Sequence, residues 1–293
     1  MPTNHNNQLT AAHAQEVESG ERFQFGRNWS LFLRSLADEQ IGQAELSLKE
    51  RLHVQSLRGR SFLDIGSGSG LFGLAARRLG ARVYSFDYDP GAFASTAELR
   101  SRYFPEDREW QVAQGSVLDK DYLESLGQFD IVYAWGVLHH TGSMWQALEN
   151  VAPMVNPGGT LFLAIYNDQG KRSRRWRSVK KAYNQLPPKL RFLVLWPAFA
   201  QMWWKRLLKD ALMGHPLNSF RNYKAKRGMS LWRDVVDWVG GYPFEVAKPE
   251  QIFDFYYRRG FELTHMLTQG GNLGCNEFVF QRAKIEKGRK GAP

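Results

Sequence analysis

The sequence predicts a doubly wound α/β fold, in which helices cover both faces of a mainly parallel sheet. Short apolar segments of strand length alternate along the chain with helical segments, starting with residues 62–65 and 71–79. The turn between these two segments contains Gly66, Gly68 and Gly70. Glycine is favoured where a buried parallel strand turns sharply into a helix and leaves room for a ligand.

The glycine turn predicts a ligand-binding loop. Residues 62–70 have the sequence Phe-Leu-Asp-Ile-Gly-Ser-Gly-Ser-Gly, so that Asp64 precedes the glycines and Ser67 lies between them. The Asp64 carboxylate can reach the ammonium group of a zwitterionic ligand, directly or through water. A dinucleotide pyrophosphate would gain nothing from such an acid, so the loop favours S-adenosylmethionine.

A dinucleotide site is the competing interpretation of the same loop. Gly68, Gly70 and Gly73 also fit the G-x-G-x-x-G spacing, with Asp87 at roughly the distance expected of the ribose-binding acid. That spacing alone is a weak signal. The order of the following segments separates the two interpretations.

The next three strands each end in residues that suit a nucleoside. The second strand, residues 81–86, leads into Asp87 and Tyr88, and the Asp87 carboxylate can bind both ribose hydroxyls. The third strand is followed by Ser116 and Val117, which are placed to contact the edge and face of adenine. The fourth strand, within residues 129–140, opens into the cleft at Trp135 and Gly136.

This succession of motifs resembles the class I S-adenosylmethionine-dependent methyltransferases, above all the small-molecule branch with the ubiquinone and menaquinone O- and C-methyltransferases. The likeness covers about residues 62–166 and 249–281. It implies a Rossmann-like seven-stranded sheet with an antiparallel C-terminal hairpin, S-adenosylmethionine as methyl donor and S-adenosylhomocysteine as product. Ser116 departs from the family, which often has Asp there, but its hydroxyl can still accept a hydrogen bond. The implied cofactor-binding residues are Asp64, Gly66, Ser67, Gly68, Gly70, Asp87, Tyr88, Ser116, Val117, Trp135 and Gly136.

Composition along the chain divides it into six parts. The predicted parts are a polar disordered tail at 1–20, N-terminal helices at 21–60, the cofactor-binding core at 61–168, a helical lid insertion at 169–248, the C-terminal part of the core at 249–283 and a basic tail at 284–293. N-terminal helices in this family often close over the cofactor, and the aromatic residues of 23–29 are candidates for lining the site.

The lid insertion contains the basic charge of the protein. Residues 171–248 have 18 Lys and Arg against 4 Asp and Glu, whereas the whole chain has a net charge of only +10. The insertion also has six of the ten tryptophans and an uncharged run at 192–204 that is too short to span a bilayer. Three interpretations remain open: a lid on an anionic membrane that admits a lipidic substrate, a solvated lid over a soluble or anionic substrate, and a nucleic-acid platform.

Two adjacent histidines are the candidate catalytic residues. His140, and after it His139, follow the fourth strand, where acceptor and methyl group meet in this fold, and an imidazole suits proton acceptance near pH 7. A histidine that only hydrogen-bonds its own loop is the alternative. Candidate acceptor-binding residues are Tyr166, Asn167, Asp168, Tyr242 and Glu245.

The cysteine content and the N-terminal sequence indicate where the protein is located and which partners it has. The single cysteine, Cys275, excludes an internal disulfide and a cysteine-based zinc site, and no metal is expected. The N-terminal stretch lacks an apolar core of signal-peptide length, so we expect a cytoplasmic protein, with peripheral attachment to the inner membrane face as an option. The expected activity is methyl transfer to a hydroxyl, in preference to a carbon, of a small lipidic or aromatic acceptor. RNA methylation and a non-catalytic cofactor-binding assembly factor are the alternatives.

Overall fold

The computed structural model describes residues 2–215 and 231–284. The expected basic tail, apart from Lys284, and residues 216–230 of the insertion lie outside these ranges. The strands are β1 (Ser61–Ile65), β2 (Arg82–Asp87), β3 (Trp110–Gln114), β4 (Phe129–Trp135), β5 (Val155–Tyr166), β6 (Phe261–Leu267) and β7 (Cys275–Arg282). The helices are α1 (Pro2–Glu18), α2 (Gly26–Leu33), α3 (Asp38–Leu52), α4 (Leu71–Arg78), α5 (Pro90–Tyr103), α6 (Lys120–Leu126), α7 (Met144–Val151), α8 (Lys171–Gln185), α9 (Phe192–Leu212), α10 (Leu231–Gly240) and α11 (Pro249–Tyr257).

The strands form one seven-stranded sheet in the order β3-β2-β1-β4-β5-β7-β6. Strands β1 to β5 pair in parallel, and β7 runs antiparallel between β5 and β6. Apolar clusters fill both faces, as expected for a parallel sheet covered by helices. The predicted fold class is therefore confirmed. The strand order reverses between β1 and β4, and ligands of open α/β sheets bind beyond the carboxyl ends at such a point.

The expectation of a disordered tail at 1–20 is wrong, because Pro2–Glu18 forms helix α1. Its sequence is rich in alanine, glutamine and glutamate, which favour helix. Tertiary contacts also anchor the helix: the Thr10 hydroxyl donates to Gln114 Oε1 at 3.0 Å. His13 is buried, and its Nε2 lies 3.5 Å from Asp89 Oδ2. Polarity suggested disorder, but the polar side chains of α1 pair with the edge of the sheet.

The insertion has its own apolar cluster. Helices α8, α9 and α10 pack around a set of buried side chains that includes Phe23, Trp176, Tyr183, Leu195, Trp203, Val239 and Phe244. Trp176 and Trp203 are therefore part of a core, whereas Trp196, Trp204 and Trp232 are exposed. Among the described helices, none has both the length and the hydrophobicity needed to cross a bilayer.

Candidate active site

A cavity of about 530 Å³ lies at the carboxyl ends of β1, β2 and β4. This volume is within the range of roughly 300–1,000 Å³ typical of small-molecule pockets. The sheet side of the cavity includes Ile65, Gly66, Phe86, Asp87, Tyr88, Ser116, Val117, Trp135, Gly136, Val137 and His140. The opposite side comes from the N-terminal segment and includes Leu9, His13, Glu16, Arg22, Phe23, Phe25 and Trp29.

The glycine loop has the backbone that the sequence predicted. Gly66, Gly68 and Gly70 all have positive φ, at 66°, 58° and 81°, which side chains rarely adopt. A Cβ at Gly66 would lie 2.3 Å from Val137 Cγ1, so no larger residue fits there. Of the loop residues, only Gly66 lines the cavity. Ser67 instead points to Thr96, with 2.8 Å between the two hydroxyl oxygens.

Asp64 lies behind the loop and does not line the cavity. It is only 2% exposed, and the Ser85 hydroxyl donates to its Oδ2 at 3.2 Å. Burial raises the pKa of Asp64 to about 7, although the hydrogen bonds from Ser85 and the Gly73 N–H oppose the shift. The contact of Asp64 with a ligand ammonium, directly or through water, stays a prediction.

Asp87 lies at the end of β2 with its carboxylate in the cavity wall. It accepts hydrogen bonds from the backbone N–H groups of Gly68 and Asp89, both at 2.9 Å. These bonds fix the carboxylate at the mouth of the glycine loop. Burial raises the pKa of Asp87 to about 6, against the two backbone hydrogen bonds. Further hydrogen-bond donors, such as ribose hydroxyls, would stabilise the ionised form.

Tyr88 connects the cavity to helix α1, which sequence reasoning missed as part of the site. The Tyr88 hydroxyl donates to Glu16 Oε1 at 3.2 Å, and Arg22 lies over the Tyr88 ring at 4.9 Å. Arg22 also pairs with Glu16 and donates to the carbonyl of His140 at 2.9 Å. The only signal in the sequence was the spacing of Leu9, His13 and Glu16, which share one face of a helix.

The remaining predicted cofactor contacts meet at the other side of the cavity. Ser116 and Val117 follow β3 and line the wall, and the Ser116 hydroxyl accepts from the Leu118 N–H at 3.2 Å. Trp135 ends β4, Gly136 follows it, and both line the cavity. The Trp135 indole donates to Glu277 Oε1 at 3.2 Å, which anchors the ring.

His140 is the predicted catalytic residue that lines the cavity. Its Nδ1 lies 2.6 Å from the carbonyl oxygen of Pro243, an acceptor, so Nδ1 carries the proton. Burial lowers the pKa of His140 to about 3, with Lys180 and Arg22 acting in the same direction and the Pro243 carbonyl opposing. The imidazole is therefore uncharged at neutral pH, and its Nε2 is left with a lone pair.

His139 has the position of a structural residue. It is 0% exposed, does not line the cavity, and its ring lies 4.0 Å from the ring of Tyr166 between centroids. Its Nδ1 accepts from the Tyr166 backbone N–H at 3.3 Å. Burial lowers the pKa of His139 well below its usual range. The 3₁₀ turn Leu138–His140 directs the two rings to different surroundings, which corrects His139 as a base.

None of the five candidate acceptor-binding residues lines the cavity. Tyr166 packs on His139, Asn167 donates to the Gly270 carbonyl at 2.9 Å, and the Asp168 carboxylate accepts from the Gly170 N–H at 2.8 Å. Glu245 accepts from the Met144 N–H at the start of α7, at 3.0 Å, and the Tyr242 carbonyl accepts from the Phe23 N–H at 2.8 Å. Of these contacts, those of Tyr242 and Glu245 join the insertion to the rest of the protein.

Two polar residues of α8 connect the insertion to His140. Lys180 is 0% exposed, donates to the Trp238 carbonyl, and lies over the rings of Trp238 and Phe244 at 4.3 and 4.8 Å. The Asn184 amide donates to the Gly240 carbonyl at 2.6 Å. Both contacts bind the end of α10, three residues before the carbonyl that orients His140. Burial lowers the pKa of Lys180 to about 7, with Asp237 opposing.

Comparison with known proteins identifies the core. Residues 63–161 match a family described as a methyltransferase domain. A tRNA U34 carboxymethyltransferase of Methylococcus capsulatus is 33% identical over 122 residues, covering 41% of this chain and 36% of that protein. A ubiquinone biosynthesis O-methyltransferase of Nitrobacter winogradskyi is 30% identical over 162 residues, covering 55% and 56% of the two chains.

Among solved structures, the magnesium protoporphyrin IX methyltransferase of Synechocystis PCC 6803, with bound S-adenosylhomocysteine, has a TM-score of 0.48 and 13% identity, over 84% of this chain and 83% of that chain. The chain spans between 36% and 56% of the length of the two relatives named above. The matched region contains β1 to β4, the glycine loop and Asp87. These residues form the core of a class I S-adenosylmethionine-dependent methyltransferase domain.

Proposed function

We propose that the protein transfers the methyl group of S-adenosylmethionine to a hydroxyl, in preference to a carbon, of a small hydrophobic acceptor. The observation that supports this most is the uncharged His140 imidazole, whose Nδ1 is bound to the Pro243 carbonyl beside an aromatic cavity wall. When bound, S-adenosylmethionine supplies an activated methyl group on its sulfonium sulfur.

The cavity residues fit this cofactor. Asp87 would accept from the ribose hydroxyls, and Ser116 and Val117 would contact adenine. Gly66 has no side chain, which leaves its backbone open to the methionine part. A larger residue is not tolerated there, because its Cβ would meet Val137. A cavity of about 530 Å³ is large enough for a nucleoside-sized molecule with space beside it.

His140 suits a hydroxyl acceptor in spite of its low pKa. A hydroxyl oxygen that gains a methyl group while it keeps its proton becomes strongly acidic. A base with a pKa of about 3 can therefore accept the proton as the new bond forms, although it could not ionise the hydroxyl beforehand. Nε2 is the accepting atom, and the Pro243 carbonyl stabilises the Nδ1–H of the resulting imidazolium.

The acceptor side of the cavity favours a small apolar molecule. Phe23, Phe25 and Trp29 form much of this wall, and helix α1 covers it. Such a closed aromatic wall excludes water and suits a phenol or quinol ring better than a polynucleotide. The name of the Nitrobacter winogradskyi relative, a ubiquinone biosynthesis O-methyltransferase, agrees with an acceptor of this class. A membrane-dissolved acceptor would place the protein at the inner face of the cytoplasmic membrane.

The proposal is tested by measuring S-adenosylhomocysteine formation with panels of quinols, phenols, glycolipids and tRNA, using wild type and His140→Asn. The asparagine amide can still donate to the Pro243 carbonyl, but the variant lacks Nε2. We expect a quinol or phenol to be methylated on oxygen, and the variant to lose about 10²–10⁴-fold in turnover. S-adenosylhomocysteine affinity should stay unchanged.

The matched control is His53→Asn. His53 is exposed and has a φ of 52°, a conformation that asparagine tolerates, so this variant should keep full turnover. With a hydroxyl that does not ionise between pH 5 and 9 and with saturating S-adenosylmethionine, the rate should be flat across that range, because burial lowers the pKa of His140 to about 3. Methylation of tRNA alone, or full turnover of His140→Asn, would refute the proposal.

A further inference from the structure

Helix α9 exposes a row of large apolar side chains. Phe192, Trp196, Trp204, Leu208 and Leu212 are separated by multiples of four residues, so they follow one ridge of the helix. Trp196 and Trp204 are 56% and 52% exposed. Other positions of the same helix, Leu195, Ala198 and Trp203, are buried. The buried residues of α9 therefore belong to the apolar cluster of the insertion, and the exposed ridge does not.

Helix α8 exposes a row of positive charges. Its sequence contains no acidic residue, and six of its seven basic side chains are exposed: Lys171, Arg172, Arg174, Arg175, Arg177 and Lys181. Helix α9 adds the exposed Lys205, Arg206 and Lys209. Between residues 171 and 212, twelve Lys and Arg stand against the single acid Asp210. No ion pair links the exposed α8 cations to an acid within 2–215 and 231–284.

The exposed residues of α8 and α9 come together in the middle of the two helices. Arg175 Nη2 donates to Gln201 Oε1 at 3.3 Å, and both side chains are exposed. This bond connects the outer side of α8 to the outer side of α9. Trp232 of α10 extends the apolar part, because its ring lies 5.3 Å from that of Trp196. We name this surface, formed by the exposed residues of α8 and α9 together with Trp232, the basic-aromatic face.

The combination of apolar and basic side chains on the basic-aromatic face favours one class of partner. Tryptophan and leucine beside lysine and arginine are typical of helices that lie in the interface of a bilayer. The apolar side chains enter the boundary between headgroups and acyl chains, while the cations contact anionic headgroups. A second copy of the chain would bring like charges together. An RNA backbone would pair with the cations but leave Leu208 and Leu212 exposed.

We propose that the basic-aromatic face binds the surface of membranes that contain anionic phospholipids, with α9 lying in the plane of the interface. This binding goes beyond methyl transfer and does not depend on it, since the face lies outside the cavity. In this arrangement the protein meets apolar molecules at the bilayer surface.

The test is co-sedimentation of the full chain with vesicles of phosphatidylcholine, alone or mixed with phosphatidylglycerol. Wild type should bind the mixed vesicles at low salt and lose most of that binding near 1 M salt, where the screening length falls to about 3 Å. Its tryptophan emission should shift to shorter wavelength on binding. Substitution of Arg172, Arg174, Arg175 and Arg177 by Gln should lower the partition coefficient at least about tenfold.

Two controls separate the face from overall charge and hydrophobicity. Substitution of the exposed Arg34, Arg58, Arg82 and Arg108 by Gln removes the same charge elsewhere and should cost much less binding. Trp196→Gln with Trp204→Gln should reduce the emission shift, because only Trp232 of the face then remains, whereas Trp145→Gln, at a tryptophan of 41% exposure on α7, should not. Unchanged melting temperature and S-adenosylhomocysteine affinity would show that each variant is folded.

Equal sedimentation of wild type and the two face variants would overturn the proposal. So would a tighter complex with RNA than with the mixed vesicles, or a dimer in sedimentation velocity that Trp196→Gln with Trp204→Gln dissociates. Methyl transfer to a soluble acceptor is measured without vesicles, so failure of the proposed activity is distinguishable from failure of membrane binding.

Discussion

Replacing Asp87 by Asn should weaken binding of S-adenosylhomocysteine without unfolding the protein. The carboxylate lies in the cavity wall, and its two oxygens already accept from the N–H groups of Gly68 and Asp89. A hydrogen bond to a charged group contributes about 1.5–3 kcal/mol. The affinity should therefore fall by about 10- to 150-fold, since 1.4 kcal/mol corresponds to a factor of ten.

Isothermal titration calorimetry near pH 8 measures this change, with Asp130→Asn as the matched control. Asp130 also accepts from a backbone N–H, that of Ser61 at 2.8 Å, but it lies at the start of β4, at the opposite end of the strand from the cavity. Its substitution should lower the melting temperature and leave affinity unchanged. Wild-type affinity should also fall as the pH drops through about 6, because Asp87 is then protonated. A loss below threefold for Asp87→Asn, or an equal loss for Asp130→Asn, would refute this role.

Two further predictions concern the loop and its buried acid. Gly66→Ala should destabilise the fold and abolish cofactor binding, because its Cβ would lie 2.3 Å from Val137 Cγ1. Gly127→Ala, at φ 75° and ψ −154° with open space around it, should cost only the backbone strain of about 1–3 kcal/mol in urea unfolding. The raised pKa of Asp64 makes the wild-type native state lose stability as the pH rises from about 4 to about 7. Asp64→Asn removes this titration. Relative to wild type, the variant should therefore be more stable at pH 8 than at pH 4, by up to about 4 kcal/mol. A pH-independent difference between Asp64→Asn and wild type in thermal unfolding would contradict this.

The features that local sequence determines could be predicted. The glycine loop follows from three glycines after an apolar strand, and Asp87 and Ser116 follow from strand ends that a parallel sheet brings to one edge. All of these lie where the sequence placed them, although Asp64 points into the core instead of the cavity.

The features that depend on distant packing could not be predicted. Nothing local distinguishes His139 from His140, because one 3₁₀ turn decides which ring reaches the cavity. Helix α1 becomes part of the site only through contacts such as those of Thr10 with Gln114 and of Glu16 with Tyr88. Likewise, charge counting treated Lys180 as one more surface cation of the insertion, whereas it is fully buried.

The contacts of Lys180 and Asn184 limit how far the domain can be reduced by engineering. The insertion resembles a detachable accessory, since the sheet is complete without it. However, Lys180 and Asn184 of α8 bind the end of α10. The chain that follows α10 provides the Pro243 carbonyl that selects the tautomer of His140. A chimera that exchanges residues 171–240 for a relative's loop would therefore keep a cofactor cavity but free the imidazole to rotate. The proposed proton transfer by His140 would therefore depend on the packing of the insertion.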